Sequence, residues 1–522
     1  MFSRIRSAVC SGMEGREVFV ETDIARGLPG MNIVGLASTM IMESRDRIKS
    51  AVVNSGREFP HGRITVNLTP ASLRKSGSCL DLPIAVGILA AGFELDADKA
   101  CRPGIIGELS LDGRLLRVSG MLPMIIKLKE AGVTEVIIPA ENAREAGLVS
   151  GMRIYPVSSL MECIDLLNGG ASMHERSFDS AGFKDECERG GDLHVKELRG
   201  EIDFGDIAGQ ENAKRAMTIA AAGRHGILMV GSPGCGKSML ASRMPTVMPP
   251  MSENEMLEAA MVLSVTGKGF ETDDEGRPLI TRPFRSPHHT IGRAGLVGGG
   301  NTPVPGEITL AHNGVLFLDE ICEFDRANIE TLRVPMEERS ITHFRKGEAY
   351  RFPCDFQLVM AANPCPCGFY GDPDRVCRCS QVQLEAYRRR LSGPIIDRVD
   401  MRISMEKVRF DDLQRTDGEK NITSEEMRKD VISALRFAEN CGRRRYNALM
   451  SDHEIEKFCR LGRSESLFMR QAYESLNMSP RSYKKTLKVA RTIADIDCSA
   501  DIQEKHLAEA LSYRTLESVN EC

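Results

Sequence analysis

One stretch, "GILMVGSPGCGKSML" at residues 226–240, constrains this chain more than any other. Four apolar residues, Ile227 to Val230, run straight into Gly231-Ser232-Pro233-Gly234-Cys235-Gly236-Lys237-Ser238, and a helical pattern follows. This is the G-x-x-x-x-G-K-[ST] phosphate loop in the strand–loop–helix setting it requires. Its glycines let backbone N–H groups converge on phosphate oxygens, and the helix N-terminus adds positive potential. Lys237 is then expected to reach the β- and γ-phosphates of a nucleoside triphosphate, with Ser238 on Mg²⁺. The bland alternative is a Gly-rich turn that binds nothing, and the full motif with both flanks argues against it.

Two more apolar runs end in polar residues. "GVLFLDE" leads into Asp319-Glu320, a pairing that by itself means only a strand meeting a loop. Downstream of a phosphate loop, Asp319 is expected on Mg²⁺ and Glu320 on the attacking water. "FQLVMAANP" ends at Asn363, whose side chain could position that water against the γ-phosphate. Arg398 lies in "SGPIIDRVD" and Arg481 opens "SPRSYKKTLKVARTIADI". An arginine offered by a neighbouring subunit accelerates phosphoryl transfer by ~10³–10⁵. Taken singly, each of these two reads as a surface ion pair.

At 522 residues the chain exceeds one core, so roughly three domains are expected. Residues 1–170 alternate β-branched runs ("REVFVETDIARG", "GRITVNLTP", "VTEVIIPAEN") with a buried helix, "LDLPIAVGILAAG". Residues 171–198 are polar and Gly/Ser-rich, as in a linker. The motifs fill 199–405, which calls for an α/β core on a parallel sheet. Residues 406–522 read as helical, with capping-box starts at Thr423…Glu426 and Ser451…Glu454 and a helix opened by Ser479-Pro480. No secretory or membrane-spanning run is recognised, so a cytoplasmic location is expected. A net charge of −5 supplies no global field for nucleic acid, and contact with it must be local.

In that compartment the 16 cysteines are not expected to form a disulfide framework. Cys365, Cys367, Cys377 and Cys379 form two C-x-C pairs and have the ligand count of a closed tetrahedral Zn²⁺ site. Four reduced thiols in a loop and a redox-labile pair are the alternatives, since C-x-C is tighter than usual zinc spacing. "RSITHFRKGEAYRFPCDF" reads as a hairpin with Arg345 and Lys346 at its tip, either a phosphate-contacting tip or a solvated turn. Basic clusters at Arg388–Arg390, Arg443–Arg445 and Lys484–Lys485 read as solvated helix faces, the first also as a subunit-interface element. His288 and His289 are read as structural, because adjacent side chains point apart on most backbones.

The order of these motifs resembles an AAA+ ATPase of the magnesium-chelatase-like branch. "RPFRSPHHT", "GLVGGGNTPVPGEITLAHNGVLFLDE" and "NPCPCGFYGDP" resemble the YifB/ComM family within it, and the likeness runs from "GLPGMNIVGLA" to "KVARTIADI". The resemblance implies ATP and Mg²⁺ as ligands and a homo-hexameric ring. It also implies Asn363 as sensor 1, Arg398 as arginine finger and Arg481 as sensor 2, the last two acting across a subunit boundary. The hairpin would project into the central pore, and the C-terminal helices would form a lid. Members of the ComM group are associated with branch migration of DNA, so single-stranded or branched DNA is the implied partner. The first block resembles the Lon-type proteolytic domain, but Ile84 stands where the nucleophilic Ser belongs and Leu122 where the general-base Lys belongs. Neither hydrocarbon can do that chemistry. A role in ring contacts or in binding a protein partner is implied instead. Competing readings are a chelatase-type motor subunit that drives a partner, an ATP-dependent protease and a nucleotide-dependent scaffold.

Overall fold

The computed structural model describes residues 2–36, 39–73, 75, 77–170, 177–180, 202–272, 278–300, 303–345, 347–391, 395, 398–408, 421–443 and 446–514. Most of the expected linker at 171–198, together with Ser76, Lys346, Arg444 and Arg445, lies outside the described residues.

The first block is built on a mixed eight-stranded sheet. Its strands are β1 (Phe2–Ser11), β2 (Glu14–Ala25), β3 (Gly30–Val34), β4 (Arg63–Thr69), β5 (Gly104–Ile105), β6 (Glu135–Pro139), β7 (Arg153–Val157) and β8 (Phe178–Asp179). They are ordered β8-β7-β6-β5-β1-β2-β4-β3. β2 alternates buried and exposed side chains along its centre, the period of a strand with one covered face. The covering helices are α1 (Thr39–Asn54), α2 (Asp81–Ala91) and α3 (Met121–Glu130). α2 is apolar almost all round, and every one of its residues is buried. A helix of that composition has to sit inside a core.

The second block carries helices α4 (Glu211–Gly223), α5 (Lys237–Val247), α6 (Glu253–Thr266), α7 (Arg333–Glu338) and α8 (Gln381–Leu391). Its five-stranded sheet is formed by β9 (Ile227–Gly231), β10 (Phe284–Arg285), β11 (Val315–Leu318), β14 (Gln357–Ala362) and β15 (Met401–Met405). The hairpin β12 (Ser340–Arg345) and β13 (Glu348–Pro353) lies between β11 and β14 in the chain. The sheet order is β10-β11-β14-β9-β15, and each pairing is parallel. β11 and β14 are buried along their whole length, as expected of apolar strands covered on both faces.

In a parallel sheet all strand C-termini share one edge. The phosphate loop, Asp319-Glu320 and Asn363 follow β9, β11 and β14, so they meet at that edge. Arg398 precedes β15 and therefore lies at the other edge, beside Gly226 and Asp355.

Helices α9 (Ser424–Asn440), α10 (Asp452–Phe458), α11 (Arg463–Ser475), α12 (Pro480–Ile496) and α13 (Glu504–Ser512) complete the described chain. Capping boxes open α9 at Thr423 and α10 at Ser451, and Ser479 caps α12. These helices share a buried cluster with α4 and the sheet, from Ala216 and Met229 to Val431, Val489 and Leu507. Arg443 is not a solvated charge, because it is buried and paired with Asp495. Lys484 and Lys485 pair with Asp452 and Asp400 at 2.7 and 2.8 Å.

The first two blocks dock through α6. Met256, Ala259 and Ala260 of α6 join the core of the first block. Ser264 accepts from the Gly120 amide through its carbonyl (2.8 Å) and from the Leu122 amide through its hydroxyl (3.2 Å). Met13, in the β1–β2 turn, clusters with Val262 of α6 and Phe352 of β13. Ile84 and Leu122 are both fully buried. Ser78 donates a hydrogen bond to Glu108.

Candidate nucleotide site

The phosphate loop turns on Gly234 and Gly236, at φ +83° and +95°. Those left-handed conformations favour glycine. Lys237, only 8 % exposed, folds back over the loop. Its ammonium donates to the carbonyls of Gly231 (2.6 Å) and Ser232 (3.1 Å) and to Asn363 Oδ1 (3.2 Å). Ser238 Oγ donates to Asp319 Oδ2 at 2.7 Å. One hydroxyl and one carboxylate oxygen in contact form a donor set suited to Mg²⁺, which takes few protein ligands and keeps its phosphates and waters. Gln210 Nε2 bridges the carbonyls of Cys235 (3.3 Å) and Glu406 (2.6 Å), tying the loop to the end of β15.

Glu320 departs from β11 with φ +50° and ψ +48°, a left-handed conformation on a non-glycine residue. Its amide donates to Asp319 Oδ1 at 2.9 Å, and its side chain is half exposed. The two carboxylates are thereby separated, with Asp319 turned to Ser238 and Glu320 turned outward. Strain of this kind costs about 1–3 kcal/mol and persists where the surroundings enforce it.

The premise for reading His288 and His289 as structural needs correction. Their rings are not splayed apart, since the centroids lie 4.1 Å from each other. His289 Nδ1 stands 3.8 Å from Glu320 Oε2, and its ring meets Phe324 edge-on. The segment before β11 therefore brings an imidazole to the carboxylate that sequence reasoning had placed alone.

The cysteine loop reaches the same site. Cys365 Sγ lies 3.3 Å from Cys367 Sγ and 3.7 Å from Cys377 Sγ, and Cys367 lies 3.6 Å from Cys377. All four sulfurs fall within 4.8 Å of one another. Tetrahedral thiolates at a Zn–S distance of about 2.3 Å stand roughly 3.8 Å apart, so this donor set fits zinc. Gly368, at φ +83°, sits so close to the phosphate loop that a Cβ there would lie 2.7 Å from the Pro233 ring. Asp372 accepts from the Ser232 hydroxyl, which holds its carboxyl below the usual range. Neither contact was visible in the sequence.

Arg398 and Arg481 meet each other but not the phosphate loop. They come together on Glu337 at the opposite edge of the sheet. The hairpin forms as expected, with Arg345 opposite Glu348 at its end. Arg345 is exposed and donates from Nε to the Gly300 carbonyl at 3.1 Å. Arg390 donates to the Cys322 carbonyl at 3.2 Å, inside the protomer.

A strained glutamate, a phosphate loop and a polar strand end on one parallel sheet, packed with C-terminal helices, have the arrangement of a phosphate-loop nucleoside triphosphatase. Comparison with known proteins narrows the class. Residues 203–413 match "Magnesium chelatase, subunit ChlI", residues 20–142 match "Subunit ChlI of Mg-chelatase", and residues 421–514 match "Magnesium chelatase, subunit ChlI C-terminal". Competence protein ComM of Haemophilus influenzae is 39 % identical across 98 % of this chain and 97 % of its own length. The uncharacterized protein YifB of Escherichia coli is 38 % identical across 99 % and 97 %. A Lon protease of Salinispora arenicola is 28 % identical over 25 % of this chain and 18 % of its own. The chain belongs to the ComM/YifB family of magnesium-chelatase-like AAA+ ATPases.

Proposed function

We propose that the protein is an ATP-driven, ring-forming motor that moves single-stranded or branched DNA, in the manner of a branch-migration helicase. Lys237 binds the β- and γ-phosphates, Ser238 and Asp319 hold Mg²⁺, Glu320 takes the proton of the attacking water, and Asn363 orients that water. The observation that carries the ring is the placement of Arg398 and Arg481. Both lie at the sheet edge remote from their own phosphate loop, where they pair with Glu337, which supports a role toward a triphosphate bound to another protomer over one toward their own. Six copies would close such a head-to-tail contact into a ring. The relative from Haemophilus influenzae bears the name of a competence protein, which favours DNA as the load over a tetrapyrrole-related partner.

The exposed, basic hairpin end is the element assigned to the phosphate backbone, a grip that does not read sequence. Arg345→Ala is expected to abolish the stimulation of ATP turnover by a four-way DNA junction, read as the ratio of rates with and without DNA. In the unaltered protein that ratio should fall steeply as salt rises. A ratio that stays the same in the variant would move the DNA contact elsewhere.

The four thiolates are assigned a structural zinc ion, closed to substrate by its four protein ligands. Elemental analysis should return about one zinc per chain, and none in Cys377→Ser. Since the loop leans on Pro233 and Ser232, the substituted protein should also bind a fluorescent ATP analogue more weakly. Full affinity without metal would make the loop a mere covering. No peptidase activity is assigned to the first block, since Ile84 and Leu122 are buried hydrocarbons.

A further inference from the structure

Glu337 lies in the last turn of α7, a short helix that runs into the hairpin. Its Oε1 accepts from Arg398 Nε at 2.9 Å, from Arg398 Nη2 at 2.7 Å and from Arg481 Nη2 at 3.1 Å. One carboxylate oxygen thus gathers guanidinium groups from the segment before β15 and from the start of α12. Those bonds, first from Arg398 and then from Arg481, hold the Glu337 carboxyl below its usual range. Arg224, Arg339, Lys484, Lys485 and Lys488 also line the cleft around them and outnumber its other carboxylates, Asp355, Asp400 and Asp452. Two guanidiniums in such company repel each other, and a shared carboxylate is what lets them stand side by side. Lys485 adds a second tie by donating to the Arg398 carbonyl and pairing with Asp400 at 2.8 Å.

The other end of this connection is mechanical. Arg339, left-handed at φ +53°, turns the chain from α7 directly into β12. Arg339 Nη1 is held at 3.1 Å by both carboxylate oxygens of Asp355, which follows β13. Helix α7 and the root of the hairpin are therefore fastened together, which gives a displacement of Glu337 a short path to the hairpin.

We propose that Glu337 is a positioning residue that presents Arg398 and Arg481 as one unit to the neighbouring protomer's triphosphate and couples that unit to the hairpin. The inference rests on the reading that these arginines act across the subunit boundary. When a triphosphate draws the guanidiniums, Glu337 loses partners and α7 shifts, so the hairpin responds to the neighbour's nucleotide.

The test uses the full chain carrying Glu337→Ala, Glu337→Gln and Glu337→Asp, with Arg398→Ala as control. Half-exposed Glu337 can be replaced without emptying a core, and Gln keeps its shape while removing its charge. Expected is a fall of about tenfold to hundredfold in kcat for Ala and Gln, the scale of a misplaced catalytic group, with KM for ATP little changed. The stimulation ratio with junction DNA should drop to one in both, and Asp should restore most of kcat and of the ratio. Unaltered kcat and stimulation in both Ala and Gln, alongside an inactive Arg398→Ala, would overturn the role of Glu337 alone. A fully active Arg398→Ala would overturn the reading on which it rests. Lost turnover with an intact stimulation ratio would overturn the coupling to the hairpin.

Discussion

Arg398→Ala is expected to lower ATP turnover by ~10³–10⁵ while nucleotide affinity stays near that of the unaltered protein. The guanidinium offers five donors in a rigid fork, so it can neutralise the equatorial oxygens of the transferring phosphoryl group. It lies at the opposite sheet edge from Lys237 of its own protomer. Mixing supplies the sharper measurement. Rings of the proposed kind, assembled from Arg398→Ala and Lys237→Ala chains, would contain boundaries where an intact loop faces an intact arginine, and these should regain turnover. Two inactive proteins that stay inactive when mixed would refute the boundary site. The Arg398 side chain is only 9 % exposed, so its removal also unsettles the Glu337 cluster. Arg398→Lys separates the effects: it keeps the charge but not the fork, and should remain severely impaired.

Glu320→Gln should stall hydrolysis with ATP still bound, lowering the single-turnover rate by ~10²–10⁴. The amide matches the carboxylate in size but accepts no proton, and binding rests on other residues. ATP-loaded rings should accumulate and be visible by size-exclusion chromatography with retained nucleotide. The left-handed backbone at Glu320 sharpens the expectation, because strain maintained at a strand end points to a side chain held for use. Hydrolysis at the normal rate would transfer the proton-accepting role elsewhere, and His289, at 3.8 Å, would be examined first.

The parts legible in the sequence were those whose pattern is local. The phosphate loop, Asp319 and Asn363 each end a short apolar run, and a parallel sheet must bring such ends to one edge whatever the loops between them do. The capping boxes at Thr423 and Ser451 and the hairpin around Gly347 are likewise decided within a few residues. What was missed depends on approach between segments far apart in the chain. Gly368 on Pro233, His289 by Glu320, and Glu337 under two arginines all involve irregular stretches or short helices with no periodicity to read. Arg443 misled for the same reason, since it finds Asp495 only once α12 has packed.

The docking of the first block through α6 makes it a mounted part, not a tethered one. Because Met13 shares its packing with Phe352 at the root of the hairpin, a displacement of the hairpin root is also felt at the β1–β2 turn. A body seated there stiffens the base of the hairpin against sideways displacement.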